Sequence, residues 1–255
     1  MPSRSPSPAP SPTATNVPTL VPSPAAKILS PVSLPVVACA DYSQLGLVHP
    51  DVPATATATT DASTASALEF YADANLMVLA PRGWACAGWF GSSGQQLWVV
   101  PTLPSSVAPS AGIRGAIITT PVVYAAFWTS STSGCGLVFE VGSTLFDELK
   151  PAPAPDNAPC AGGFRSTPWP GEVVHQFSPR QVGFLDPAGT AGAGTVESSG
   201  IAVSDRSVQG LVTIAADASS PYPDLWIVSA SLPTGTAAGL TDTIVSASPT
   251  LRRTD

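Results

Sequence analysis

The sequence predicts a mainly β fold, an antiparallel sandwich or barrel-like domain stapled by disulfides and carrying at most one or two short helices. Two observations support this class. Apolar residues come in short runs bounded by Gly, Pro, Asn, Asp and Ser, which is the usual pattern of strands and turns. Four cysteines, Cys39, Cys86, Cys135 and Cys160, are spread along the chain without the spacing of a metal site.

A series of short segments has the apolar or alternating pattern of a β-strand. In chain order they are Leu34–Ala40, Leu68–Tyr71, Leu76–Leu79, Trp84–Phe90, Gln96–Val100, Ile113–Thr119, Val122–Trp128, Leu137–Val141, Val173–Phe177, Val182–Leu185, Gly200–Val203, Leu211–Ala215, Leu225–Ser231 and Thr243–Ala247. One helix is expected at Ser143–Lys150, with Ser143 as its N-cap.

Low-complexity stretches divide the chain. Residues 1–33 repeat Ser-Pro, Ala-Pro and Thr-Pro, which predicts a disordered polyproline spacer. A single β-rich domain is expected over residues 34–249, with a surface loop at 51–66 and a possible subdivision near 151–160, followed by a flexible tail at 250–255.

The cysteines predict an oxidising compartment. With two histidines in the chain, a zinc site would lack ligands, so we expect two disulfides. Of the three possible connectivities, Cys39–Cys86 and Cys135–Cys160 close the shorter loops without interleaving. No signal peptide is visible, since the N-terminal residues lack an apolar segment. Val36–Cys39 also fits a lipoprotein box, which stays open as an alternative.

The charge pattern excludes several partner classes. Only 11% of the residues are charged, against roughly 25% in an average soluble protein. The formal net charge is −7, so nucleic acid and anionic lipid are unfavourable partners. No apolar run approaches the ~20 residues that span a bilayer. We expect no metal and no cofactor.

The segment Trp84–Val100 contains the best candidates for ligand binding. Alternation along a strand puts Trp84 and Cys86 on one face and Trp89 on the other. We therefore expect Trp84 in the core and Trp89 exposed beside Phe90 at a hairpin tip. Trp169, between two prolines, is a further candidate. Exposed aromatic side chains of this kind bind sugars, whereas ordinary core packing is the alternative for each.

No catalytic constellation is complete. His49 lies in a loop, and His175 lies on a strand with no nucleophile or carboxylate at a suitable spacing. Cys135 resembles an L,D-transpeptidase cysteine only in its Ser-x-Gly-Cys context, without the expected histidine and arginine. The glycine-rich loop at Asp186–Gly194 follows a strand, but no helix follows it to form a phosphate site.

Several segments resemble a group of uncharacterised actinobacterial secreted or surface proteins. The most specific is Ala80–Cys86 (APRGWAC), and the loop Asp186–Gly194 (DPAGTAGAG) is the second. The resemblance implies an exported, disulfide-bearing domain and no known activity. A cysteine pair that the group carries near its C-terminus is missing here.

We therefore expect a non-catalytic extracellular or cell-surface domain with a structural or recognition role at the cell envelope. A carbohydrate-binding module that uses exposed tryptophans and binds a cell-wall or extracellular glycan is the alternative. A secreted hydrolase is a second alternative.

Overall fold

The computed structural model describes residues 28–43, 46–104, 117–130, 135–150, 164–196, 199–216, 222–236 and 238–247. These residues form thirteen β-strands and three α-helices. The strands are β1 (Ser30–Ala38), β2 (Ala40–Ser43), β3 (Gly46–Val48), β4 (Thr55–Thr60), β5 (Leu68–Ala72), β6 (Met77–Pro81), β7 (Ala85–Gly91), β8 (Gly94–Val100), β9 (Val122–Trp128), β10 (Val173–Ser178), β11 (Gln181–Asp186), β12 (Val208–Ala215) and β13 (Asp224–Ser231). The helices are α1 (Ala62–Ser66), α2 (Cys135–Leu145) and α3 (Ala238–Ala247).

The strands form two sheets. The smaller sheet has the order β4-β1-β5-β6, and the larger has the order β10-β11-β12-β13-β9-β8-β7-β2-β3. Neighbours are antiparallel except β1 with β5 and β2 with β7, which are parallel. Strand order thus places β10 at one edge of the nine-stranded sheet and β3 at the other.

Alternation along the central strands sends apolar side chains to both faces of the large sheet. On one face, Leu97, Val123 and Val228 join residues of the small sheet and of α3 in a single core cluster. On the opposite face, Trp98 and Tyr124 pack against α2 and the following loops in a second cluster. The large sheet is therefore the middle layer of the molecule.

The two sheets are joined covalently where β1 becomes β2. Cys39 lies between these strands, its N–H donates to Ala72 O at 2.8 Å, and its sulfur is bonded to Cys86 of β7. The predicted Cys39–Cys86 disulfide is confirmed. Because the sulfur of Cys39 is in this bond, it cannot carry a lipid, and the lipoprotein alternative is wrong.

The second predicted disulfide is only partly within the described residues. Cys135 begins α2, is buried and is disulfide-bonded. Cys160 lies outside the described residues, so the Cys135–Cys160 pairing stays a prediction. The possible subdivision near 151–160 and the tail at 250–255 also lie outside them. The expected disordered spacer at 1–33 is wrong at residues 30–33, which belong to β1, and residues 1–27 lie outside the described residues.

The mainly β class is confirmed, with two differences of detail. Two strand pairs are parallel, and there are three short helices among the described residues instead of one or two. The two longer helices lie where strands were expected. The expected strand Leu137–Val141 lies in α2, and the expected strand Thr243–Ala247 lies in α3. Short apolar runs rich in Val, Ile and Thr do not distinguish a strand from a buried helix, and tertiary packing decides here.

The expected helix at Ser143–Lys150 is wrong in its bounds. Ser143 lies inside α2 and is buried, where its hydroxyl donates to Phe139 O. A 3₁₀ turn follows at Asp147–Leu149.

Three loop and strand assignments also change. Residues 51–66, expected to be a loop, contain β4 and α1, because Thr-Ala repeats suit a strand that pairs with β1. Ile113–Thr119 and Gly200–Val203 contribute, among the described residues, only a bridge between Ile118 and Ile201.

None of the helices among the described residues has the length and apolar character needed to cross a membrane.

Candidate functional site

An open groove of about 570 Å³ lies on the face of the large sheet that carries the small sheet and α3. The small sheet and α3 leave β10, β11 and part of β12 uncovered on this face. One wall of the groove is α3 and the floor is these three strands. The lining residues are Val173, His175, Phe177, Gln181, Gly183, Phe184, Leu185, Gln209, Gly210, Leu211, Asp242, Val245 and Ser246.

The register of β10, β11 and β12 determines which side chains form the floor of the groove. Val173, His175 and Phe177 alternate along β10 and so face the same side. His175 is paired with Gly183 of β11, which in turn is paired with Leu211 of β12. The floor is thus mainly apolar, with one imidazole.

Gly183 makes room for an aromatic ring on this floor. A Cβ at this position would lie 2.8 Å from the ring of Phe177, so the absent side chain lets that ring lie across the strand. The Phe177 ring meets His175 edge to face, with centroids 4.6 Å apart. Phe177 and Val173 are nevertheless 59% and 58% exposed, so the floor presents a large apolar surface to solvent.

Polar groups stand at the α3 wall. Gln209 Nε2 donates to Asp242 Oδ1 at 2.8 Å, which links β12 to the helix. With Gln181 and Ser246, these side chains give the groove amide, hydroxyl and carboxylate groups around an apolar floor. Such a lining suits an apolar ligand that also carries hydrogen-bonding groups.

The predicted exposed tryptophan is not exposed. Trp89 does face away from Trp84, as strand alternation requires, but it is only 7% accessible and belongs to the core cluster on the α2 side. The expectation failed because both faces of the large sheet are covered at this point, whereas the sequence reading left one face open. A sugar platform at Trp89 is therefore wrong. Trp84 is half-buried and packs on the opposite cluster, as expected.

The other two candidates are not brought together with Trp89. Phe90 is 47% exposed next to the turn after β7. Trp169 is half-buried, with the Arg165 guanidinium 5.6 Å from its ring centroid. Neither residue lines the groove, which is formed by side chains that sequence analysis did not single out, except His175, which was considered there only as a catalytic candidate. The available signal was the spacing of Val173, His175 and Phe177, which marks one face of a strand but not whether that face is covered.

The APRGWAC segment forms the turn between β6 and β7, and hydrogen bonds tie this turn to β5. Gly83 has φ +78°, which favours glycine in the turn between β6 and β7. Its N–H donates to Glu69 Oε1 at 2.8 Å, and the Trp84 N–H donates to the Tyr71 hydroxyl at 2.8 Å. The Tyr71 hydroxyl donates in turn to Glu69 Oε1 at 2.8 Å. These hydrogen bonds hold the turn that leads to Cys86, which is bonded to Cys39.

The glycine-rich loop surrounds the buried side chain of Asp186. The Gly194 N–H donates to Asp186 Oδ2 at 2.9 Å, and a Cβ on Gly192 would lie 2.0 Å from Asp186 Oδ1. Burial, together with the nearby Glu172 carboxylate, raises the pKa of Asp186 to about 8. The glycines thus make room for a carboxyl group of the chain and do not form a phosphate cradle.

A second pair of buried acids lies where the two sheets meet. Asp41 of β2 and Asp73, which follows β5, are 4% and 1% exposed. Asp41 Oδ1 and Asp73 Oδ2 have no hydrogen-bond partner in the described part of the chain, and both lie about 3 Å from the place where a Cβ on Gly88 would stand. Burial raises the pKa of Asp41 to about 6 and that of Asp73 to about 7.

Neither histidine makes a hydrogen bond to a serine, a cysteine or a carboxylate within the described residues. His175 contacts Phe177 in the groove, and His49 lies in the loop after β3. The residues that the structure describes also contain no group of three or more His, Cys, Asp or Glu side chains arranged to hold a metal ion.

The fold and groove define a two-sheet β protein with a disulfide at the junction of its sheets and an open apolar groove. Comparison with protein-family models, curated proteins and solved structures finds no match to this chain. The groove and its lining residues are therefore the basis for the function proposed below.

Proposed function

We propose that this protein is a non-catalytic recognition domain of the cell exterior, and that it binds an apolar segment of a polypeptide partner in the groove between α3 and strands β10–β12. The groove carries the proposal. It exposes Val173, Phe177 and Leu185 together on one face, where a protein without a ligand would gain stability by covering them.

The chemistry of the lining favours a polypeptide over a sugar. Aliphatic side chains such as Leu211 and Val245 make up much of the surface, and no tryptophan lies in it. Amide groups of Gln181 and Gln209 at the sides match the donors and acceptors of a peptide backbone. A pyranose would instead call for a flat aromatic platform with many polar neighbours.

The disulfide and the charge support the location. Disulfides persist in oxidising compartments outside the cytoplasm. A chain with ten Lys and Arg against seventeen Asp and Glu is repelled by nucleic acid and by anionic membrane surfaces. A structural role at the cell envelope without a ligand, and binding of an extracellular glycan, are the competing interpretations.

Selection from a displayed random-peptide library, followed by fluorescence polarisation on synthetic copies of the enriched peptides, tests the proposal. We expect enriched peptides with clustered apolar residues, and roughly tenfold weaker binding to F177A, because exposed aromatic side chains dominate such contacts. F90A is the matched control, since Phe90 is a similarly exposed phenylalanine outside the groove. It should bind like the wild type.

Three outcomes would overturn the proposal: no enriched sequence, equal binding to the two variants, or selective binding on a glycan array that depends on Phe90 or Trp169. Thermal unfolding of both variants, with a change of only a few degrees, establishes that a loss of binding is not a loss of the fold.

A further inference from the structure

The outer edge of β10 is open. Within the described residues β10 pairs only with β11, so the backbone groups along its other side have no strand partner. Five of its six residues are exposed and the sixth, Val174, is half-buried. An unpaired edge of this kind is a template for a further strand.

This edge also lacks most of the features by which proteins protect their edges. The six residues of β10 (VVHQFS) include no lysine, no proline and no acidic side chain. The one irregularity is a bulge between Gln176 and Ser178, at the end of the strand. By contrast, β3 at the opposite edge of the same sheet has only three residues.

The strand is complementary to itself. We propose that β10 pairs antiparallel with β10 of a second copy of this chain, across a two-fold axis at His175. In that register Val173 of each copy lies opposite Phe177 of the other, so a small apolar side chain meets a large one twice. Both residues are more than half exposed in the single chain and become covered in the pair.

The charges at the two ends of the strand favour the same partner. Glu172 precedes β10, and its carboxylate is held by the N–H groups of Ala193 and Trp169. Arg180 follows β10 in the exposed turn to β11. Antiparallel pairing brings the Arg180 of each copy diagonally beside Glu172 of the other, so opposite charges meet at both ends.

The assembly continues the large sheet across the axis and places two grooves side by side on one face. It does not depend on what the groove binds. Since the contact consists of one short strand from each copy, it falls in the class of small, weak interfaces, and the dimer should form at high protein concentration.

Sedimentation velocity of the full chain over a concentration series tests this pairing. We expect a reversible monomer–dimer equilibrium that Q176E and R180E each weaken by roughly tenfold, because both place a new carboxylate beside Glu172 of the second copy. K150E is the control for R180E, since it makes the same change in charge at an exposed residue outside β10 and its flanking turns, and it should leave the equilibrium unchanged. Neither Gln176 nor Arg180 lines the groove, so these variants leave peptide binding intact.

Amide hydrogen exchange locates the contact. Backbone amides of Val173–Phe177 should become more protected as concentration rises, and those of β3 should not. A chain that stays monomeric throughout, or a dimer that is insensitive to Q176E and R180E, overturns the inference. The peptide-binding result is read separately, at concentrations where the chain is monomeric.

Discussion

Two parts of the nine-stranded sheet are built from similar strands but differ in what covers them. In the covered end, which runs from β9 towards β3, the strands β8 and β9 lie between the small sheet and the α2 layer, and nearly all of their side chains are buried on both faces. At the other end, β10 and β11 are covered on the α2 side only, and α3 reaches part of β12. The same alternation of side chains therefore makes a core at one end and a groove at the other.

If the groove has the proposed function, the residues that stabilise the fold and those that bind a partner lie in different parts of the chain. The unusual motifs, APRGWAC and DPAGTAGAG, lie where buried carboxylates and turns need special residues. The groove uses ordinary strand residues, such as Val173 and Leu185, that are distinctive only because nothing covers them. A rare sequence pattern in this protein indicates a difficult piece of folding more than a ligand site.

The largest effect is expected at the covered end, from the double substitution Cys39→Ser with Cys86→Ser. The disulfide closes a sequence separation of 47 residues, and the chain-entropy estimate for such a loop is about 4 kcal/mol of stability. Urea denaturation of the double variant against the wild type under non-reducing conditions measures this difference. A loss below about 1 kcal/mol would mean that the packed sheets hold this junction without the bond.

A slightly smaller effect should distinguish the two faces of the β10–β11 hairpin. Phe184 is buried on the α2 side, and its ring occupies the space above Gly210, where a Cβ would lie 2.2 Å from it. Phe184→Ala should cost about 3 kcal/mol. Phe177→Ala, on the open face of the same hairpin, should cost less than about 1 kcal/mol, since more than half of that side chain is already in solvent.

Urea midpoints of the two alanine variants give this comparison directly. If Phe184→Ala does not fold, Phe184→Leu serves in its place, with an expected cost of about 1 kcal/mol. Equal losses at Phe177 and Phe184 would contradict the view that one face is core and the other an open site.

Sequence reasoning predicted the parts of this fold that local pattern controls. β9 was predicted with its observed bounds, Val122–Trp128, and most other strands to within a few residues, because alternation and turn residues are local signals. Cys39–Cys86 was predicted from loop length. What failed depends on how the elements pack together: Trp89 is buried in the core cluster on the α2 side, and Thr243–Ala247 is helical, with Ile244 and Val245 in the core cluster of the two sheets. No pattern within a strand tells which neighbours cover it.

The smallest of these effects concerns pH and the covered end, where Asp41 and Asp73 meet. Burial raises the pKa of Asp73 in the folded chain to about 7, above its ordinary value near 4, so the folded state binds a proton more tightly than the unfolded state. Stability from this site is therefore complete below pH ~4 and is lost as pH rises through 7. We expect Asp73 alone to lower the free energy of unfolding by roughly 2 kcal/mol between pH 5 and pH 8, and the raised pKa values of Asp41 and Asp186 add to the fall in the same range.

Asp73→Asn tests the origin of this slope. An asparagine keeps the Oδ1 acceptor for the N–H groups of Asn75 and Leu76, and its new N–H can donate to Asp41 Oδ1, which has no partner otherwise. The variant should unfold at higher urea than the wild type at pH 8 and at a similar concentration at pH 5. Asp242→Asn, an exposed acid at the groove, is the control and should keep the wild-type slope. If Asp73→Asn leaves the pH dependence unchanged, then Asp73 takes up no proton on folding, and another group accounts for the slope.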